Sequence, residues 1–144
     1  MRLATFNILH GQSCDDGRVD LDRFAEAIGL LDADVLALQE VDHYQVRSLD
    51  ADLTALAADA MGAAEHRFVA ALSGNPSALW IAADGNEQPD SAAYGIALLS
   101  RYPVTSWEVS RLAPVPTRFP MWFRGSRRPE LVRDEPRVAV VATV

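Results

Sequence analysis

A chain of 144 residues with 49% apolar side chains and a net charge of −7 is long enough for one buried core and too apolar for a disordered segment. No apolar run approaches the ~20 residues of a membrane-crossing helix, and an acidic total is a poor match to tight nucleic-acid binding. Cys14 stands alone, which excludes an internal disulfide and fits a reducing cytoplasm.

Met1-Arg2-Leu3 passes straight into a strand pattern, without the basic stretch and apolar run of a secretory leader. Residues 3–8 are nearly all apolar, as in a strand covered on both faces. A polar loop follows from His10 to Gly17. Asp20 is a helix N-cap, and Leu21, Phe24, Ile28 and Leu31 form one helical stripe behind it. Asp32-Ala-Asp34 breaks the helix, and Val35–Leu38 is a second buried strand. A second helix is expected from about Asp50 to Met61, with Gly62 ending it.

Arg67–Leu72 is a third strand. Ser73–Ala92 is a long loop with a short edge strand at Leu79–Ala82. Tyr94–Ser100 and Val104–Leu112 are strands separated by Arg101-Tyr102-Pro103. The Pro- and Arg-rich segment 113–136 reads as a loop, and Arg137–Val144 as a final strand.

Charge is unevenly spread. Residues 1–60 carry a net −8, whereas residues 111–137 carry +4 through Arg111, Arg118, Arg124, Arg127, Arg128, Arg133 and Arg137. Every basic residue is arginine, whose planar fork matches phosphate bidentately. That segment therefore faces an anionic substrate or is a solvated loop. Trp122 and Phe123, beside Arg118 and Arg124, would stack on a base, grip a lipid headgroup, or pack the loop onto the sheet.

The first two strands each end on a polar residue, Asn7 and Glu40. A strand, a helix and a second strand in this order form a right-handed crossover onto a parallel neighbour. The carboxyl ends of both strands then emerge on one edge, where open α/β sheets bind ligands. Asn7 and Glu40 become neighbours although 33 positions apart. An amide and a carboxylate suit a hard cation such as Mg²⁺, with Mn²⁺ as the alternative, which leaves coordination positions for water and a substrate phosphate.

Four strings occur in order: Ala4-Thr-Phe-Asn-Ile-Leu-His-Gly11, Leu36-Ala-Leu-Gln-Glu-Val-Asp42, Tyr94-Gly-Ile-Ala-Leu-Leu-Ser-Arg-Tyr-Pro-Val104 and Glu135-Pro-Arg-Val-Ala-Val140. Together they resemble the endonuclease/exonuclease/phosphatase family of Mg²⁺-dependent phosphodiesterases and phosphatases. The resemblance implies an α/β fold: half of a four-layer α/β sandwich, a mixed sheet with helices on its outer face. It implies that Glu40 binds the metal, that Asn7 lies beside it near metal-bound water and the phosphate, and that Arg137 matches a basic position.

The later family strings, Thr-His-Leu, Gly-Asp-x-Asn and Ser-Asp-His, do not occur in these 144 residues, and Tyr94 lies one residue from the family's tyrosine position. The expectation is an amino-terminal half-domain, truncated within or just after a strand. It would carry Asn7 and Glu40 as catalytic and metal residues, with Asn7, His10 and Arg137 at the substrate, and would be inactive alone. A small or lipid-like phosphoester is favoured over nucleic acid as substrate. The inner sheet face, left open, would associate with a partner. The alternative is a non-catalytic binding or interaction module keeping the fold. Asp42 and His43 stand close enough in sequence to brace Glu40, or are ordinary loop polarity.

Overall fold

The structure is a computed structural model that describes residues 1–123 and 125–144. Arg124, counted above with the basic segment, lies outside the described residues. Strand β1 (Leu3–Asn7) leads through a single 3-10 turn (Leu9–Gly11) to helix α1 (Leu21–Leu31). The Asp20 carboxylate accepts the N–H groups of Asp22 and Arg23, as the sequence anticipates. Strand β2 (Val35–His43) then pairs with β1 in parallel, Leu3 opposite Val35 and Asn7 opposite Gln39.

Helix α2 (Leu53–Met61) starts later than its composition suggests. Asp52, not Asp50, supplies the cap, accepting from Thr54 and Ala55. Asp50 instead adopts φ +54 in the turn ahead of the helix. Gly62, at φ +67, closes the helix by donating to the Ala58 and Asp59 carbonyls.

Strand β3 (Glu65–Asn75) outruns its expected span, because its last residues gain a partner in β4 (Leu79–Ala82). Strand β5 (Ala93–Ser100) lies between β2 and β3, antiparallel to both, giving the order β1-β2-β5-β3-β4. Gly95 permits this central pairing, since a Cβ there would overlap the Val69 carbonyl oxygen.

Both helices cover one face of this sheet. Phe24 and Ile28 of α1 and Leu53, Ala57 and Met61 of α2 pack with Leu36, Leu38, Val41, Ala97 and Leu99 of the strands. Leu36, Leu38, Val41 and Leu99 are fully buried. The mixed sheet with helices on one side is the expected α/β arrangement.

The opposite face is less open than the sequence implies. Strands β6 (Ser106–Leu112) and β9 (Arg137–Thr143) pair with each other rather than joining the first sheet, and β9 packs against β3 and β5. Arg67 lies over the Trp107 ring at 5.3 Å, and Arg111 Nη1 donates to the Ala70 carbonyl at 2.8 Å. Val69 is buried there, whereas Leu3 in edge strand β1 remains 66% exposed. Segment 113–136 is not all loop either. It folds back as a hairpin of β7 (Arg118–Met121) and β8 (Glu130–Arg133) that leaves Trp122 and Phe123 exposed. Among the described residues, no helix is long and apolar enough to cross a membrane.

Candidate active site

The carboxyl ends of β1 and β2 bring Asn7 and Glu40 together, with Asn7 Nδ2 donating to Glu40 Oε1 at 2.8 Å. Asn7 Oδ1 accepts the Leu9 N–H at 3.0 Å. This second bond fixes which way the amide points, because a flipped amide would aim its NH₂ at an N–H donor. Asn7 thus braces the Glu40 carboxylate and keeps one lone pair on Oδ1 for a further donor or ion.

Glu40 owes its position to a bulge. Leu38 opposes Ala97 and Val41 opposes Gly95, so Gln39 and Glu40 share a single place opposite Ile96. In a regular strand Glu40 would follow Leu36 and Leu38 onto the helix-covered face. The extra residue shifts the alternation, returns Val41 to the core and turns Glu40 away from it. Glu40 takes φ +56 to do so. A non-glycine residue held in this region costs about 1–3 kcal/mol and is found where neighbouring structure enforces it, often at functional sites.

Beneath Glu40 lies a polar cluster only partly foreseen. Asp42 is fully buried, and Arg47 grips it with Nε to Oδ2 at 2.8 Å and Nη2 to Oδ1 at 2.7 Å. The guanidinium lies over the rings of Trp80 (5.6 Å) and Tyr94 (5.5 Å), which stack on each other at 5.1 Å. Burial and the negative charge of Glu40 push the Tyr94 hydroxyl up to about 12, against the pull of Arg47, so it stays a proton donor. The sequence offered Asp42 as a bracing group. Arg47 and Trp80 carried no signal, since their partners come from separate elements.

His10 sits in the turn after β1 at φ +48 and senses this cluster. Burial and the Arg47 charge lower its pKa, while Asp42 and Glu40 act the other way. Among the described residues, no hydrogen bond joins His10 to Asn7 or Glu40.

Arg137 is placed differently. It pairs with Asp134 at 2.7 Å, with its side chain 65% exposed. It occupies the alternate of β9 opposite to Val138, Val140 and Ala142, the half-buried residues of that strand. No contact among the described residues brings it to Asn7 or Glu40.

His43 braces the scaffold next door rather than Glu40. Its Nε2 reaches the Pro89 carbonyl at 2.8 Å, its Nδ1 stands 3.5 Å from Asp52 Oδ1, and its ring stacks on Phe68. Asp52 raises the His43 pKa above its ordinary 6.5, against burial and with help from Pro89. Burial pushes Asp52 up, yet His43 and the cap N–H groups outweigh it and hold that carboxyl low. A raised folded pKa means that protonated His43 stabilises fully below about pH 6.5 and loses that contribution as pH climbs through the folded value. Thermal melts of His43→Gln should thus lose less stability than wild type as pH rises from about 6.5. Parallel curves would contradict the His43–Asp52 linkage.

Among the described residues, no three His, Cys, Asp or Glu side chains gather as a ready metal cage. Glu40 still fits a hard cation, because Oε2 takes no hydrogen bond among the described residues and Mg²⁺ is commonly held by one or two carboxylates plus water and phosphate.

Residues 4–139 match the sequence model of the Endonuclease/Exonuclease/phosphatase family. A crystal structure described as an endonuclease/exonuclease/phosphatase from Beutenbergia cavernae DSM 12333 is 25% identical, with a TM-score of 0.52. The match covers 81% of this chain and 29% of that one, so the present chain spans under a third of that relative's length. No curated relative matches. With nearly the whole sequence inside the family match and the paired strand ends folded as described, the chain belongs to the endonuclease/exonuclease/phosphatase family.

Proposed function

We propose that this chain supplies part of the active site of a divalent-metal-dependent phosphoesterase, hydrolysing a phosphodiester or phosphomonoester. The observation that carries the reading is the Asn7–Glu40 pair, a carboxylate held at 2.8 Å by a fixed amide at the shared edge of two parallel strands. Glu40 would hold Mg²⁺ or Mn²⁺, which would neutralise charge on the phosphoryl oxygens when bound. Asn7 orients the carboxylate, and His10 and Tyr94 border the substrate. Arg137 would reach an anionic substrate only from its place on β9.

Hydrolysis also needs a base for the attacking water. We assign that group to protein outside these 144 residues, either further chain or a partner meeting the open end of the sheet at Leu3. The net charge of −7 favours a small or lipid-like phosphoester over nucleic acid. An exposed free Cys14 suits a reducing compartment such as the cytoplasm.

The second reading is a non-catalytic module with the family fold. One assay separates them: hydrolysis of aryl phosphomonoester and phosphodiester substrates by the intact protein, with Mg²⁺ or with EDTA. Turnover that chelation removes and Mg²⁺ restores is the expected result. No turnover with any phosphoester, despite bound Mg²⁺, would support the module instead.

A further inference from the structure

Arg47 is the strongest charge-bearing group near the strand ends that the reading above leaves without a task. Two of its nitrogens, Nε and Nη2, are committed to Asp42, and the third, Nη1, has no hydrogen-bond partner among the described residues. The side chain remains 34% exposed although its carboxylate partner is fully buried. Its plane is fixed on both counts, by the bidentate pair and by the Trp80 and Tyr94 rings beneath it. Such a guanidinium has already lost its rotamer freedom and presents one outward N–H edge.

The surroundings favour an anion at that edge. Without a ligand, a cation serving only to neutralise Asp42 would gain nothing from an unpaired outer nitrogen. The Nε–Nη2 edge of the planar fork is committed to the Asp42 carboxylate, which leaves Nη1 to reach a second oxygen-bearing group. We propose that Arg47 is a substrate-binding residue whose Nη1 donates to a non-bridging phosphoryl oxygen beside Glu40. This rests on the phosphoesterase reading of the site. Arg47 would then bridge a permanent carboxylate and a transient phosphate, while Asp42 sets its orientation and tempers its charge.

The test uses inorganic phosphate as probe, followed by ³¹P shift titration in the presence of Mg²⁺, with thermal melts alongside. Wild type should bind phosphate saturably. Arg47→Lys should weaken binding by about tenfold or more, since it keeps the charge and loses the fixed fork. Asp42→Asn should also weaken binding several-fold, because it removes the bidentate carboxylate that orients the guanidinium. A solely structural Arg47 would lower the melting temperature of Arg47→Lys and leave phosphate affinity unchanged, which overturns the proposal. No saturable binding by wild type overturns it too. If Arg47→Lys fails to fold, Asp42→Asn decides alone: weaker binding supports the proposal, and equal or tighter binding overturns it.

Glu40→Gln keeps this test separate from the broader reading. Phosphate affinity indifferent to Arg47, with Mg²⁺ affinity still dependent on Glu40, sinks the Arg47 role only. Arg47-dependent phosphate binding with Mg²⁺ affinity indifferent to Glu40 sinks the metal assignment only.

Discussion

Glu40→Ala should abolish metal-dependent turnover of the intact protein, a loss of about 10³-fold or more. A bound divalent cation is worth several kcal/mol of charge stabilisation in phosphoryl chemistry, and each 1.36 kcal/mol is about tenfold in rate. The same substitution should leave the fold intact. Glu40 is half-buried and is not part of the hydrophobic core cluster, and its φ of +56 is a conformation it holds at a cost. Glu40→Gly makes the point more sharply, because glycine adopts that φ freely. It should be as stable as wild type or more so, yet equally inactive. Steady-state rates with Mg²⁺ and thermal melts of both variants check this. Turnover within a few-fold of wild type would remove Glu40 from the metal site.

Asp42→Ala should act in the other direction, with a large loss of stability. Removing one partner of a buried ion pair typically costs about 3–5 kcal/mol, because the remaining charge is left uncompensated. Here the remaining charge, Arg47, is 34% exposed and can turn toward water. Solvent screening lowers the expected cost to about 2–3 kcal/mol. Arg47 also holds the segment in which Tyr44, Leu49 and Asp50 adopt positive φ, so its release should loosen the approach to α2. Urea denaturation of the variant measures the loss. A change under about 0.5 kcal/mol would mean the pair contributes no more than a surface salt bridge.

The parallel crossover was legible because strand, capped helix and strand follow each other with clear signals at Asp20 and at Asp32-Ala-Asp34. The bulge went unread, although it left a trace as a change of spacing. Leu36 and Leu38 stand two apart and Val41 three further on, so one residue must be accommodated to keep all three in the core. The pairing of Asn7 with Glu40 was expected from the crossover alone, and the bulge is what turns Glu40 toward Asn7. The Asp42–Arg47 clasp did not, since it depends on the turn conformations between residues 44 and 50 and on two aromatic rings from β4 and β5. The hairpin within 113–136 was hidden for a related reason. Its strands are four residues long and interrupted by Pro120, too short for alternation to rise above loop composition. Arg137 leaves β9 on its exposed side, where a one-residue difference decides which way a side chain leaves the strand.

The claim on which the rest depends is that the braced Glu40 carboxylate holds a divalent cation. Calorimetric titration of Mg²⁺ into wild type and Glu40→Gln tests it without requiring turnover. The account predicts saturable binding by wild type and binding at least about tenfold weaker in Glu40→Gln, with the two proteins melting alike. Equal Mg²⁺ affinity in both would contradict it.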